Sequence, residues 1–135
     1  MTNDQQRTTG RLPDGTVLPD PARVVTEVRR LASESPKYVY GGSSHTLYCT
    51  YTANEYQSAC IIGQAFMALG VPEQSLRAVD ANADGGESVD KLYDDDGPAV
   101  DWLTQVQTDQ DCNIAWGEAV TSADQSLGNT TGFSE

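Results

Sequence analysis

The sequence predicts one small α+β domain, mainly helical, with four to six helices around a buried central helix and a two-stranded β-hairpin. Three observations lead to this prediction. A length of 135 residues fits a single domain, apolar residues recur at helical spacing in several segments, and one aromatic and β-branched stretch is interrupted by glycine and serine. We expect the globular domain to span residues 20–126, between a flexible N-terminal arm (1–19) and a flexible C-terminal tail (127–135).

The first helix is predicted to begin at Asp20 and Pro21. An aspartate can cap free amide groups, and proline suits the first helical position. Val24 and Val28 follow at helical spacing. We expect this helix to stop before Pro36.

The hairpin is predicted from two runs, 38–40 and 47–51, which are rich in tyrosine, valine and threonine. Glycine and serine residues between them are typical of a hairpin loop of about five residues or slightly more. Two strands alone are marginally stable in water, so we expect this ribbon to lie against helices.

The central helix is predicted over residues 58–69, which are apolar on nearly every side. Gly70 supplies a stop signal. Gly63 lies inside the helix, where glycine costs about 1 kcal/mol relative to alanine, so we expect another element to approach closely there. Shorter helical turns are expected at 73–79 and 87–93.

Two further helices are predicted in the last third of the chain. The first follows Pro98 and carries Trp102 on an apolar stripe, and the second carries Trp116 in the same way. We interpret both tryptophans as core residues.

The charge is concentrated in one part of the chain. The net charge of −12 comes from 20 acidic and 8 basic residues, and residues 80–111 hold ten of the acidic residues against one lysine. A surface of this sign repels nucleic-acid phosphates and anionic lipids, so we expect no direct binding to nucleic acid or membranes. It suits a basic protein surface or a cation, although an acidic surface also serves solubility alone.

Three cysteines are present, Cys49, Cys60 and Cys112. The first ten residues lack the apolar core of a secretory signal, and no run of about 18 apolar residues exists. An odd number of cysteines in that context is typical of reduced thiols, so we expect a cytoplasmic protein. A disulfide between Cys49 and Cys60 would need export or deliberate oxidation.

Five short elements follow one another over residues 21 to 124: Cys49-x-Tyr51, Ser58-x-Cys60-Ile61-Ile62-Gly63-Gln64-Ala65, Leu69-Gly70-Val71-Pro72, Val106-Gln107-x-x-Gln110-Asp111 and Trp116-Gly117-Glu118-Ala119-Val120. This pattern resembles a group of small proteins of unknown function encoded by actinobacterial phages and their hosts. The resemblance implies a phage or prophage origin and a compact, mostly helical fold, and it brings no established activity. Cys112 stands where such proteins have a glycine, which argues against a shared role for it.

A calcium site is one alternative function. Asp80, Asn82 and Asp84, followed by Gly85, match the first half of an EF-hand-like loop, in which alternating oxygen ligands wrap one cation. The twelfth position, which needs a bidentate glutamate, is Lys91. We therefore favour a solvated connecting loop and expect no cofactor.

Cysteine and histidine chemistry is the other alternative. A Cys60 thiolate activated by His45 would make a hydrolase, since a thiol near a helix amino terminus gains thiolate character. Cys49, Cys60 and His45 could instead hold zinc, but their spacings match no compact zinc module. The sequence identifies no residues that would form an oxyanion hole. We therefore favour a packed Cys60 thiol and an exposed His45 imidazole.

The sequence thus favours a non-enzymatic phage accessory protein that acts in the host bacterial cytoplasm by binding another protein. The expected contacts are acidic side chains in the charged segment, namely Asp84, Glu87, Asp94, Asp95 and Asp96. Charge complementarity with a basic partner surface is the physical reason. Neither the partner nor the oligomeric state follows from the sequence.

Overall fold

Helices make up most of the regular structure. The computed structural model describes residues 10–40, 50–53, 59–82, 88–94 and 97–126. Within these ranges the α-helices are α1 (Pro21–Glu34), α2 (Ile61–Ala68), α3 (Glu73–Asn82), α4 (Pro98–Asp111) and α5 (Trp116–Ser126), with a 3-10 turn at Val89–Lys91. The helical part of the predicted fold class is confirmed.

The helix ends follow from local sequence. The Asp20 carboxylate accepts a hydrogen bond from the Ala22 amide at 3.1 Å, and Pro21 occupies the first position of α1. Pro98 occupies the same position in α4. Gly70 follows α2 with a φ of 102°, a left-handed conformation that glycine adopts without strain. These capping and stop signals were readable from the sequence.

The core is formed by apolar faces of all five described helices. Helix α4 contacts α1, α2, α5 and the 3-10 turn. Both tryptophans are buried, Trp102 on α4 and Trp116 on α5, as predicted. The close approach expected at Gly63 is also present, because a Cβ on this residue would lie only 2.0 Å from the Tyr51 carbonyl oxygen. The segment 50–53 therefore packs directly on the backbone of α2.

The predicted β-hairpin is wrong over the described residues of the two runs. None of residues 38–40 or 50–53 is in a strand, while 41–49 lie outside the described residues. The backbone groups bond elsewhere: the Tyr38 carbonyl accepts the Trp116 amide at 2.9 Å, and the Thr50 amide donates to the Tyr40 hydroxyl at 3.0 Å. Aromatic and β-branched composition was read as strand propensity, but these tyrosines serve as packing and hydrogen-bonding groups against helices.

Residues 10–19 pack on the domain, whereas the sequence analysis assigned them to a flexible arm. Leu12 and Leu18 are buried in the core, and Gly10 forms an isolated β-bridge with Tyr93. The Tyr93 hydroxyl donates to the Pro19 carbonyl at 2.7 Å. Two leucines spaced six apart carry no helical or strand period, which is why the pattern did not reveal this packing.

Candidate functional site

Asp80 on α3 fastens the segment 50–53 to the domain. Its Oδ1 accepts the Tyr51 amide at 2.9 Å. Its Oδ2 accepts the Thr52 amide at 3.1 Å and the Thr52 hydroxyl at 2.7 Å. Both carboxylate oxygens of Asp80 are thus engaged in positioning this segment.

Two buried glutamines on α4 connect it to four other parts of the fold, namely α2, α5, the 3-10 turn and segment 50–53. Gln110 Oε1 accepts the Ile61 amide at 2.8 Å and the Trp116 indole N–H at 3.2 Å. Gln107 Oε1 accepts the Val89 amide at 2.8 Å, and its Nε2 donates to the Tyr51 hydroxyl at 3.0 Å. Residues three apart share one face of a helix. These amides therefore supply partners for backbone N–H groups at the starts of α2 and the 3-10 turn.

Tyr40, Thr50, Asp80, Gln110 and Asp111 form what we call the polar junction. Asp111 Oδ1 accepts a hydrogen bond from Gln110 Nε2 at 3.3 Å, and burial raises the pKa of Asp111 to about 6. Burial also raises the pKa of Tyr40, and the negative charges of Asp111 and Asp80 act in the same direction. The polar junction thus contains a carboxyl group that holds its proton at mildly acidic pH.

The residues of the calcium alternative do not form a loop of the expected kind. Helix α3 extends to Asn82 rather than ending at 79, so the first three residues of the predicted loop are helical. Asp80 uses both oxygens on Tyr51 and Thr52. Asp84 lies outside the described residues. Across the part of the chain that the structure describes, no group of three or more His, Cys, Asp or Glu side chains is placed to hold a metal ion.

Cys60 does not carry an accessible thiol. It is disulfide-bonded and its side chain is fully buried. His45 and Cys49 lie outside the described residues. The expectation of reduced thiols is therefore wrong for Cys60, and its sulfur in this state is neither a nucleophile nor a zinc ligand. Cys112 is free and exposed.

Of the acidic residues expected to contact a partner, Asp94 is described and is exposed. Asp84, Glu87, Asp95 and Asp96 lie outside the described residues. Farther along the charged segment, Asp101 in the first turn of α4 is also exposed. Asp80 and Asp111 belong instead to the polar junction, so part of the charge in this segment serves the interior.

A second polar cluster ties α1, α4 and α5 together. Arg29 donates two hydrogen bonds to Asp124, at 2.8 and 3.1 Å, and its guanidinium lies 4.7 Å from the centre of the Trp102 ring. The Trp102 indole N–H donates to the same carboxylate at 2.8 Å. Burial acts to raise the pKa of Asp124, but these hydrogen bonds outweigh it and hold that pKa below its ordinary value. The cluster satisfies the polar edge of a buried tryptophan.

A shallow groove of about 430 Å³ lies between the residues after α1 and the outer face of α5. Its walls include Pro36, Lys37, Gly117, Glu118 and Thr121. The Gly117 amide donates to the Pro36 carbonyl at 2.9 Å, so the groove floor is a packed contact. The lining carries one charge of each sign and therefore selects no single class of ligand.

Comparison with models of protein families, with curated proteins and with solved structures gives no match to this chain. None of the described helices combines the length and the apolar character needed to cross a membrane.

The sequence interpretation missed the polar junction. Gln107, Gln110 and Asp111 were noticed as one element of a resemblance, without a structural role. The available signal was the three-residue spacing of Gln107 and Gln110 on a predicted helix, because it places two amide side chains on one face. Tyr40 was assigned to a strand and Asp80 to a cation loop, so neither was expected to hydrogen-bond to segment 50–53.

Proposed function

We propose that this chain is a non-enzymatic accessory protein of a bacteriophage, which binds a host or phage protein through an acidic surface. The contact residues are Asp84, Glu87, Asp94, Asp95 and Asp96, and the partner presents lysine or arginine side chains. The observation that carries the proposal is the charge distribution, because residues 80–111 contain ten acidic side chains and one basic side chain. The proposed site of action is the host bacterial cytoplasm.

The division of roles among the described carboxylates supports this proposal. Asp80 accepts hydrogen bonds from segment 50–53 and Asp111 accepts one from Gln110, while the side chains of Asp94 and Asp101 are exposed. Carboxylates that are only partly accessible, such as Asp80 and Asp111, thus account for only part of the charge in this segment. An exposed remainder of one sign attracts a surface of the opposite sign and speeds encounter more than it sets affinity.

A Cys/His hydrolase is less well supported, because Cys60 is buried and disulfide-bonded. A calcium-binding module is also less well supported, because Asp80 already uses both of its oxygens on Tyr51 and Thr52. Calorimetric titration with calcium tests the calcium-binding function directly. Heat of binding accompanied by a higher melting temperature would favour it over protein binding.

The experiment that tests the proposal starts with affinity capture from host lysate and identification of the bound protein. The purified partner is then titrated calorimetrically with the wild-type chain and with a variant carrying Asp94→Asn, Asp95→Asn and Asp96→Asn. Three exposed ion contacts worth about 0.5 kcal/mol each predict affinity weaker by about tenfold.

The matched control carries Glu34→Gln, Glu73→Gln and Glu118→Gln. These three glutamates are exposed and lie outside residues 80–111, and the control changes net charge by the same amount. We expect its affinity to stay within about twofold of the wild type. Equal weakening by both variants would mean that net charge acts without a specific surface, and no weakening by either would refute the acidic-surface proposal.

A further inference from the structure

Residues 10–19 contain a small antiparallel ribbon. Arg11 and Val17 face each other in an isolated β-bridge. Two backbone hydrogen bonds of 2.9 Å flank this bridge, from the Leu12 amide to the Thr16 carbonyl and from the Leu18 amide to the Gly10 carbonyl. In a pair flanked in this way, the amide and the carbonyl of each residue point away from the partner. The Val17 backbone groups therefore face the outer edge of the ribbon.

Val17 leaves this edge unpaired. Among the described residues, none forms a hydrogen bond with its amide or its carbonyl. Its side chain is 60% exposed, whereas the side chain of Leu18 is buried in the core, which is the alternation of a strand with one face outward. The opposite edge of the ribbon is paired, because Gly10 bridges to Tyr93. A free edge of this kind is a template for one more strand.

A cleft of about 240 Å³ adjoins the Val17 edge. Residues 16–19 form one wall, the turn 69–71 after α2 forms another, and Arg23 contributes a charged side chain. The turn is open at Gly70, where an added Cβ would meet no atom within 4 Å. The cleft is smaller than the roughly 300 to 1,000 Å³ of a pocket that encloses a drug-sized ligand. It therefore suits a peptide chain that crosses it better than a small molecule held inside it.

Arg23 supplies the charge of the cleft. Its side chain is exposed, and across the part of the chain that the structure describes it has no carboxylate partner. Three other arginines, Arg29, Arg30 and Arg77, each pair with a carboxylate. Arg23 lies in the first turn of α1, where the helix dipole disfavours a cation, so helix stability does not account for it. A free guanidinium binds a carboxylate through two parallel hydrogen bonds.

We propose that the Val17 edge and Arg23 form a docking site for an extended acidic peptide segment of a partner protein. The peptide main chain adds a strand by donating one hydrogen bond to the Val17 carbonyl and accepting one from the Val17 amide. A glutamate or aspartate of the peptide pairs with Arg23, and this charge complementarity selects an acidic occupant. The site shares no residue with the acidic surface proposed above and does not depend on it.

A nuclear magnetic resonance titration of the isotope-labelled full-length chain tests the proposal and locates the site. The probe is the peptide acetyl-Glu-Val-Glu-Val-amide. We expect saturable shifts of the Val17, Leu18 and Gly70 amide signals with a Kd of about 0.1 to 1 mM, because the edge offers few hydrogen bonds. The Gly117 and Thr121 signals, in the groove beside α5, should not move. Absence of shifts at about 5 mM peptide, or shifts confined to that groove, would overturn the proposal.

Two altered peptides separate main-chain pairing from charge. The first has lysine in place of glutamate, and the second is N-methylated at every peptide nitrogen, so that it keeps its charge but has no N–H donor. Each should bind about fivefold more weakly or worse. Equal binding of the N-methylated peptide would refute strand addition. Equal shifts with sodium acetate alone would mean that the cleft binds simple anions, which also refutes the proposal.

Two variants of the protein test the role of Arg23. Arg23→Gln should weaken peptide binding by about two- to fivefold. Lys37→Gln is the matched control, because Lys37 is also exposed and lies outside the cleft, and its affinity should be that of the wild type. Equal weakening by both variants would mean that net charge acts without a site. If the Val17 and Gly70 signals shift when the protein alone is concentrated, the occupant is a second copy of the chain and the proposed partner is wrong.

Discussion

Replacement of Gly63 by alanine tests how segment 50–53 is seated on α2. In an exposed helix this change stabilises by about 0.5 to 1 kcal/mol, because alanine has the higher helix propensity. Here the new Cβ would lie 2.0 Å from the Tyr51 carbonyl oxygen and 2.7 Å from two further Tyr51 backbone atoms. The overlapping atoms belong to the Tyr51 backbone, so no side-chain rotation relieves the overlap.

The expected loss of stability follows from the shift that the alanine Cβ forces on segment 50–53. A carbon and an oxygen need about 3.3 Å, so segment 50–53 must shift by more than 1 Å and lengthen the bonds from Tyr51 and Thr52 to Asp80, at 2.9 and 3.1 Å. Overpacking costs about 1 to 3 kcal/mol, and weakening a hydrogen bond to a charged group about 1.5 to 3 kcal/mol. After the helix-propensity gain, we expect Gly63→Ala to lower the free energy of unfolding by about 2 to 4 kcal/mol.

Urea unfolding followed by circular dichroism measures this loss. For a chain of this size the midpoint should fall by about 1 to 2 M with an unchanged slope. Gly117→Ala is the matched control, because its nearest contact would be the Pro36 Cβ at 2.9 Å and we expect a smaller loss. If Gly63→Ala is as stable as the wild type, the described seating of segment 50–53 is incorrect.

Three further predictions concern the polar junction. The pKa of Asp111 is raised to about 6 in the fold, so its contribution to stability is complete below about pH 4 and is lost as the pH rises through 6. Asp111→Asn should therefore stabilise the protein by about 1 to 2 kcal/mol at pH 7 but not at pH 4. Equal effects at both pH values in urea unfolding would contradict this. Gln110→Leu should cost about 2 to 4 kcal/mol, because the buried amide of Ile61 loses its partner; a midpoint within 1 °C of wild type would contradict it. Asp80→Asn should lower the free energy of unfolding less than Asp80→Ala does, because the asparagine oxygen still accepts one backbone amide. The specific measurement is hydrogen exchange, which should be faster at the Tyr51 and Thr52 amides in the alanine variant.

Helix positions were predictable because their signals are local. The proline at the start of α1 and the glycine after α2 act through a few neighbouring residues. The apolar stripe through Trp102 likewise needs no partner to be recognised. The buried placement of both tryptophans followed from these patterns.

The non-helical parts were not predictable from the same signals. The Thr50 amide donates to the Tyr40 hydroxyl, and Asp80 accepts the Tyr51 and Thr52 amides that a hairpin would have paired across strands. Such long-range side-chain capping leaves no period in the sequence. A carboxylate in an acidic segment looks the same whether it anchors backbone amides or faces a partner, so Asp80 was grouped with candidate cation ligands.

The salt dependence of partner association tests the central proposal most directly. The association rate constant is measured with the captured partner at low salt and at about 0.5 M salt, where charges farther apart than roughly 4 Å are screened. If the acidic segment guides binding, the wild-type rate falls by about tenfold or more, and the variant neutralised at Asp94, Asp95 and Asp96 starts lower and falls less. Rates that do not depend on salt, and that are equal for wild type and variant, would contradict the proposal.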